Sequence, residues 1–315
     1  MKFILFLILS LSCLHSNQSR PGLSVWFSAN ELSFAGGGKL LFNPNGRDVD
    51  LNVISNNKIF STSFIFYPAG VQAQSASMLL SKSTKSIIAS INHVSYGTFK
   101  GYDENAVATG NYTSSDTWFR FGYNEKSKTL PFNYGVSNQF YISKLEDIIS
   151  TSIYSSFGLV WTIKKYNLDI GWTVNDILLF YNRSIDDINS TDFLLGVCKD
   201  LVHLPLKLSI DTKLSTSLVP MDYFLSGTFY ISKNIALNLG TSTRKFSQNT
   251  EQNLSQTIFG SSGVGVLFKN KELVISYGLY LYGTGGFVPT TPARPVKYCM
   301  NGKVFVTISA NVLPS

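Results

Sequence analysis

The stretch that decides the fold runs from Ile87 to Tyr123 and divides into three parts. Its first part, IIASINHVSY (87–96), is rich in β-branched and aromatic residues, and its last part, DTWFRFGY (116–123), alternates bulky with polar side chains. Both patterns are typical of long β-strands. Between them, the glycines and short polar residues of GTFKGYDENAVATGNYTSS (97–115) predict a long polar loop. The later chain repeats this pattern, which predicts antiparallel hairpins throughout.

The composition narrows the class of protein. The 315 residues are 44% hydrophobic, 14% aromatic and only 14% charged, whereas about 25% charged residues is typical of soluble domains. After the N-terminal leader no apolar run reaches about 18 residues, which excludes a helical membrane protein. A secreted all-β domain and a transmembrane β-barrel remain. The net charge of +7, without a clustered basic run, indicates no nucleic-acid partner and suits a surface among outer-membrane lipids.

Strand number and length favour the barrel. The chain contains about fourteen candidate strands, commonly nine to twelve residues long, whereas soluble strands average about five or six and tilted barrel strands need about 9–11. Several alternate cleanly, as in the strand from Leu204, where Leu206, Leu208 and Ile210 oppose Lys207, Ser209 and Asp211. The sequence therefore predicts an all-β fold, an antiparallel transmembrane barrel of about fourteen strands. A soluble sandwich survives as an alternative only if the strands prove short.

Aromatic residues near the predicted strand ends give a further expectation. A ring with a polar tip suits the membrane interface, so these residues are expected to form an aromatic girdle. The simpler alternative is that tyrosine and phenylalanine are good strand residues. The expected girdle residues are Tyr67, Tyr96, Tyr141, Trp161, Tyr166, Tyr280 and Tyr282.

The N-terminus predicts export. Met1 and Lys2 precede a short apolar run, and we assign residues 1–19 to a secretory signal peptide. A lipid on Cys13 is a less favoured alternative. Residues 20–56, rich in Gly and Asn, are expected to lie in the barrel lumen, and residues 57–315 to form the barrel. Cys198 reads as a small buried residue, and whether it pairs with Cys299 is left open.

The candidate motifs for chemistry are weak. His93 and Ser95 lie two apart on one strand face, which is more simply a polar pair than a nucleophile with its base. Gly36-Gly37-Gly38-Lys39 lacks the spacing of a phosphate loop and predicts a tight turn. The carboxylate pairs Asp103-Glu104 and Asp186-Asp187 are most simply solvated. We therefore expect no catalytic residue, no metal and no cofactor, and no enzymatic activity.

Three segments carry a resemblance to a known family. VSYGTFKGYDENAVATGNYTSSD (94–116) resembles the YGxF…G…GxFTAxD segment of PorQ-like proteins, outer-membrane components of the type IX secretion system. AGGGKL (35–40) followed by DVDLNVISN (48–56) is similar to the family's entry segment, and ISKNIALNLGTSTRKFSQ (231–248) to one of its strands. Two features depart from the family pattern: Asn56-Asn57-Lys58 replaces its NPA, and the chain ends NVLPS without a terminal aromatic residue.

The resemblance implies a FadL-type barrel that performs no chemistry. Its expected role is to anchor a PorZ-like surface protein, within an attachment complex containing PorU- and PorV-like components, at the outer membrane. The alternative function is transport of hydrophobic small molecules through a FadL-like lumen, which rests on architecture alone.

The expected partner-binding surface is the long loop 97–115. Phe99, Tyr102 and Tyr112 would act as aromatic anchors beside Asp103, a mixture that suits a protein interface. The loops 185–191 and 287–301 are further candidates.

Overall fold

The computed structural model describes residues 25–41, 58–67, 70–128, 130–146, 148–182, 191–214, 220–248, 259–270 and 273–281, and the backbone of residues 307–312. The predicted signal peptide (1–19), residues 185–190 of one candidate loop, the candidate loop 287–301, Tyr282 and Cys299 lie outside the described residues.

Long antiparallel strands make up most of the described chain. They are β1 (Lys58–Phe66), β2 (Gln72–Lys82), β3 (Lys85–Tyr102), β4 (Ala108–Lys126), β5 (Phe132–Leu145), β6 (Ile148–Ile163), β7 (Leu168–Asn182), β8 (Asp192–Leu201), β9 (Leu206–Leu214), β10 (Pro220–Tyr230), β11 (Ile235–Ser242), β12 (Ser262–Asn270), β13 (Leu273–Leu281) and β14 (Thr307–Val312). Two five-residue helices accompany them, α1 (Ala29–Ser33) and α2 (Arg244–Gln248). In the described part of the chain neither helix is long and apolar enough to cross a membrane.

The strands form one closed barrel. Each pairs antiparallel with its neighbours in sequence, and β1 also pairs with β14, with Phe60 opposite Val312 and Ile65 opposite Thr307. Closure removes the exposed sheet edges that an open sheet would leave unpaired. The predicted all-β barrel of about fourteen strands is confirmed.

The two faces of the barrel have opposite character. In β1, Phe60, Phe64 and Phe66 point outward and are about half exposed, at 49%, 49% and 56%, while Ser61 and Ser63 point inward and are buried. The predicted alternation of β9 is also present, with Ile210 exposed and Ser209 and Asp211 buried. Apolar side chains outside and polar ones inside are typical of a barrel whose outer surface meets lipid.

The connections differ between the two ends. At one end, here called the short-turn end, β2–β3, β4–β5, β6–β7, β8–β9 and β10–β11 are joined by turns of at most five residues. At the opposite end, here called the long-loop end, the connections include the segments 183–191, 243–261 and 282–306.

The predicted loop 97–115 is wrong as a loop. The strands β3 and β4 continue through it, and the turn is confined to residues 103–107. Beyond Ser95, β3 no longer pairs with β2, and before Ser114, β4 does not pair with β5, so the two strands pair only with each other. A bulge at Tyr96 and the positive φ of Gly97 mark where this ribbon begins. Local polarity could not reveal it, because a solvated two-stranded ribbon buries neither face.

Candidate functional site

Residues 25–41, here called the lumen segment, fold into one short helical turn. The Ser28 hydroxyl caps α1 by accepting a hydrogen bond from the Glu31 backbone N–H at 3.1 Å, and the Glu31 carboxylate accepts one from the Phe27 N–H at 2.7 Å. This arrangement is close to a capping box. The helix ends where Ala35, Gly36 and Gly38 adopt positive φ, so the expected tight turn at Gly36-Gly37-Gly38 is confirmed.

A strip of glycines lets this segment lie directly against the inner wall. A Cβ atom at Gly240, Gly263 or Gly278 would overlap with backbone atoms of Phe34, Leu32 or Ala29, respectively, and one at Gly265 with the Ser33 side chain. On the other side of the lumen, a Cβ atom at Gly171 would overlap with the Leu40 side chain, and one at Gly196 with the Asp211 carboxylate. The segment is thus seated by backbone approach, which side chains at these wall positions would prevent.

Hydrogen bonds join the segment to polar side chains of the wall. Ser75 Oγ donates to the Phe27 carbonyl at 2.9 Å, and the buried Asp211 carboxylate accepts from the Gly38 N–H at 2.7 Å. The Tyr67 hydroxyl accepts from the Trp26 N–H at 3.0 Å and donates to the Trp26 carbonyl at 2.9 Å. The polar inner face therefore satisfies backbone groups of a non-strand segment. Residues 20–24 and 42–56 of the predicted lumen segment lie outside the described residues, and its boundaries stay a prediction.

Six aromatic rings meet where the segment contacts the wall, and we call them the aromatic cluster. The lumen segment contributes Trp26 and Phe27. The barrel contributes Trp118, Tyr141, Tyr154 and Tyr280. Phe27 stands edge-on to Trp118 with ring centroids 5.2 Å apart, and Trp26 stands edge-on to Tyr280 at 4.7 Å. Trp118, Tyr141 and Tyr154 continue the row at 4.9 and 6.2 Å. The four barrel rings are at most 1% exposed.

These positions correct the predicted girdle. Tyr141 and Tyr280 face the lumen and are 1% exposed, Tyr67 bonds the lumen segment, and Tyr96 donates its hydroxyl proton to the Asp116 carboxylate at 2.7 Å. Trp161 and Tyr166 are exposed at the short-turn end, 43% and 57%, as a girdle requires. The prediction for the inward-facing tyrosines is wrong because an amphipathic ring suits a lumen lined by hydroxyls and amides as well as it suits a lipid interface. Sequence spacing contains one usable signal: Trp118 lies two residues from Arg120, and Tyr141 two from Gln139, each on its strand's polar face.

The predicted partner-binding residues lie on the β3–β4 ribbon, beyond Tyr96, which packs against the aromatic cluster. Phe99 and Tyr112 are paired across the two strands and stack with centroids 5.5 Å apart. Phe99 is 40% exposed and Tyr102 is 60% exposed. Asp103 shapes the turn, because its Oδ1 accepts hydrogen bonds from the N–H groups of Asn105 and Val107 at 2.9 and 2.8 Å.

The candidate motifs for chemistry that lie in the described ranges are not brought together into one site. The His93 ring bonds the Thr117 hydroxyl at 2.9 Å, across the strand pair, and makes no such bond with Ser95. No group of three or more His, Cys, Asp or Glu residues in the described ranges could hold a metal ion. Cys198 is a buried free thiol in β8.

Comparison with solved structures supports the fold. The P. putida toluene transporter TodX is similar with a TM-score of 0.51 and 8% identity, over 91% of this chain and 96% of that chain. A Pseudomonas aeruginosa FadL homologue gives 0.51 and 11% over 91% and 98%. The CymD monoaromatic hydrocarbon channel gives 0.51 and 10% over 92% and 97%.

The chain therefore has the fold of a FadL-like transmembrane β-barrel. No protein-family model and no curated protein matches it. The resemblance to PorQ-like proteins thus has no support beyond the motifs that suggested it, and stays a prediction.

Proposed function

We propose that this protein is a non-enzymatic outer-membrane channel for small hydrophobic molecules. The observation that carries the proposal is the aromatic cluster, a row of buried rings inside the lumen that is closed by Trp26 and Phe27 of the lumen segment. The likeness in fold to the toluene transporter TodX and the CymD monoaromatic hydrocarbon channel supports the same reading. The signal peptide predicted from the sequence is consistent with export to that membrane.

The geometry supplies a way to bind a hydrophobic molecule. The four barrel rings are fixed on β4, β5, β6 and β13, whereas the two closing rings belong to a segment that crosses the lumen. Movement of Trp26 and Phe27 would uncover Trp118 and Tyr280, whose faces and edges would then be free for an apolar ligand. Aromatic contacts of this kind contribute about 0.5–1.5 kcal/mol each beyond the area they bury. A ligand with an aromatic ring can replace Phe27 against Trp118.

Uptake into cells tests this proposal. Cells that express the full chain should take up the hydrophobic dye N-phenyl-1-naphthylamine faster than cells with an empty vector, and toluene should slow the uptake by competition. Replacing Trp118 and Tyr141 by Ala should remove most of the gain. Trp161→Ala is the matched control, because Trp161 is an aromatic residue of the same barrel that points outward. Equal uptake with and without the protein would reject the channel.

A second candidate function is anchoring of a surface protein, as the PorQ-like resemblance implies. The observation that favours it is the β3–β4 ribbon, which continues past the neighbouring strands of the long-loop end and carries the stacked pair Phe99 and Tyr112. From Tyr96 to Tyr102 such a strand extends about 20 Å. Exposed aromatic residues on a projecting element suit contact with a protein such as a PorZ-like partner of type IX secretion. This role does not conflict with a channel, since Phe99, Tyr102 and Tyr112 are not part of the aromatic cluster.

A further inference from the structure

Positive charge is concentrated at the short-turn end. The first three turns there each carry two lysines, at Lys82 and Lys85, Lys126 and Lys128, and Lys164 and Lys165. Few carboxylates lie beside them in the described part of the chain, the nearest in sequence being Glu125 and Asp169. An excess of lysine at one rim attracts anions to that rim.

A groove on the outer surface lies within this rim. Its volume is about 480 Å³, and three lysines, Lys58, Lys82 and Lys85, stand around it. Its other walls include Leu80 and Ile87, which point outward and are 41% and 55% exposed, and Tyr123. The groove thus combines a cationic mouth with an apolar wall that continues along the outer face of β2 and β3.

The charges in this groove are poorly compensated. Lys82 and Lys85 are direct partners across the β2–β3 pair, an arrangement in which like charges repel. Lys85 forms a long ion pair with Glu125, at 3.9 Å. Glu125 also accepts hydrogen bonds from Tyr123 and Tyr134, each at 2.7 Å. Neither Lys58 nor Lys82 forms an ion pair with another residue in the described part of the chain.

We propose that this groove binds the headgroup of an anionic glycerophospholipid, with the phosphate among Lys58, Lys82 and Lys85 and an acyl chain along Leu80 and Ile87. A phospholipid is the one occupant that matches both features, because its anionic group and its hydrocarbon chain are joined at the level where the apolar face of the barrel ends. The inference rests on the membrane placement of the proposed function, and does not depend on transport.

Native mass spectrometry of the detergent-solubilised full chain tests the site. The protein should retain phosphatidylglycerol in preference to zwitterionic phosphatidylethanolamine. One phosphatidylglycerol molecule should be the last lipid to dissociate from the protein. Each lysine at an anionic lipid surface contributes about fivefold in affinity. The triple variant Lys58→Gln, Lys82→Gln, Lys85→Gln should therefore bind phosphatidylglycerol on the order of a hundredfold more weakly. The matched control is Lys164→Gln, Lys165→Gln, Lys233→Gln, which removes the same charge from the same end and should keep the last lipid.

Three results would overturn the proposal. They are equal retention of the two lipids by the unmodified protein, equal loss in the two triple variants, and full displacement of the lipid by glycerol 3-phosphate, which would make the groove a site for a free phosphate ester. Heat-modifiable migration on a gel shows whether each variant is folded. Selective lipid binding with no dye uptake would reject the channel and support this lipid site. Dye uptake without selective lipid binding would reject the lipid site and support the channel.

Discussion

Replacing Gly263 by Ala should loosen the lumen segment while leaving the barrel intact. Gly263 lies in the middle of the glycine strip, on β12, where it pairs with Gly240 of β11 and Tyr280 of β13. A Cβ atom there would meet the carbonyl oxygens of Leu32 and Ser33. Because both are backbone atoms of α1, no change of side-chain rotamer relieves the overlap, and the helix has to move.

The size of the effect follows from the cost of overpacking. An added methyl group in a close-packed site costs typically about 1–3 kcal/mol. Taking about 2 kcal/mol, the equilibrium between the seated and the displaced segment shifts about thirtyfold toward displacement. The barrel strand itself accepts alanine, since Gly263 is not among the glycines with positive φ.

Planar-bilayer recording measures this shift. The unmodified protein should conduct poorly, because the segment and the rings of Trp26 and Phe27 lie across the lumen. Gly263→Ala should raise the fraction of time in a conducting state about thirtyfold. The control is Gly227→Ala on β10, whose added Cβ would lie 3.2 Å from its nearest neighbour, the Lys207 carbonyl oxygen, and touches no atom of the lumen segment.

Two outcomes would refute this reasoning. If Gly263→Ala and Gly227→Ala conduct alike, the close contact with α1 does not hold the segment in place. If the unmodified protein already shows large, stable conductance, the segment does not close the lumen in the membrane.

Three further predictions follow from other parts of the structure. Ile210→Arg, at mid-strand on the outer face of β9, should destabilise the inserted barrel by about 2–4 kcal/mol, whereas Leu206→Arg on the same face near the strand end should cost about 0–1 kcal/mol. Urea unfolding from lipid vesicles measures both free energies, and equal costs would argue against a membrane around β9. Ser28→Ala should cost about 1 kcal/mol of segment stability through the lost cap, seen as more frequent openings in bilayer recordings; openings as rare as in the unmodified protein would show that the cap contributes nothing. A triple variant with Phe99→Ala, Tyr102→Ala and Tyr112→Ala should release a surface partner during co-purification while the barrel stays in the membrane. Tyr166→Ala at the opposite end is the control, and retention of every partner by the triple variant would show that the ribbon is not the anchor.

Tertiary structure decided several features that local sequence could not. Polar composition around Gly97 and Gly110 indicated a loop, but cross-strand pairing of β3 with β4 holds those residues in an extended ribbon. Tyr141 and Tyr280 fit a membrane interface and a polar lumen equally well, and only their register on β5 and β13 places them inward. The contact of Gly263 with α1 joins residues more than two hundred positions apart, for which no local pattern exists.

The sequence by itself determined the fold class, because alternation with a period of two over nine or more residues fits a strand with one apolar and one polar face. It also indicated the strand count and the outward position of Leu208 and Ile210. The sequence did not determine what fills the lumen. Alternation sorts side chains onto two faces. Which inward residues meet the lumen segment is decided by the closure of β1 on β14 and by the glycine strip. Those contacts depend on the whole circumference of the barrel, so they arise only when the chain has folded.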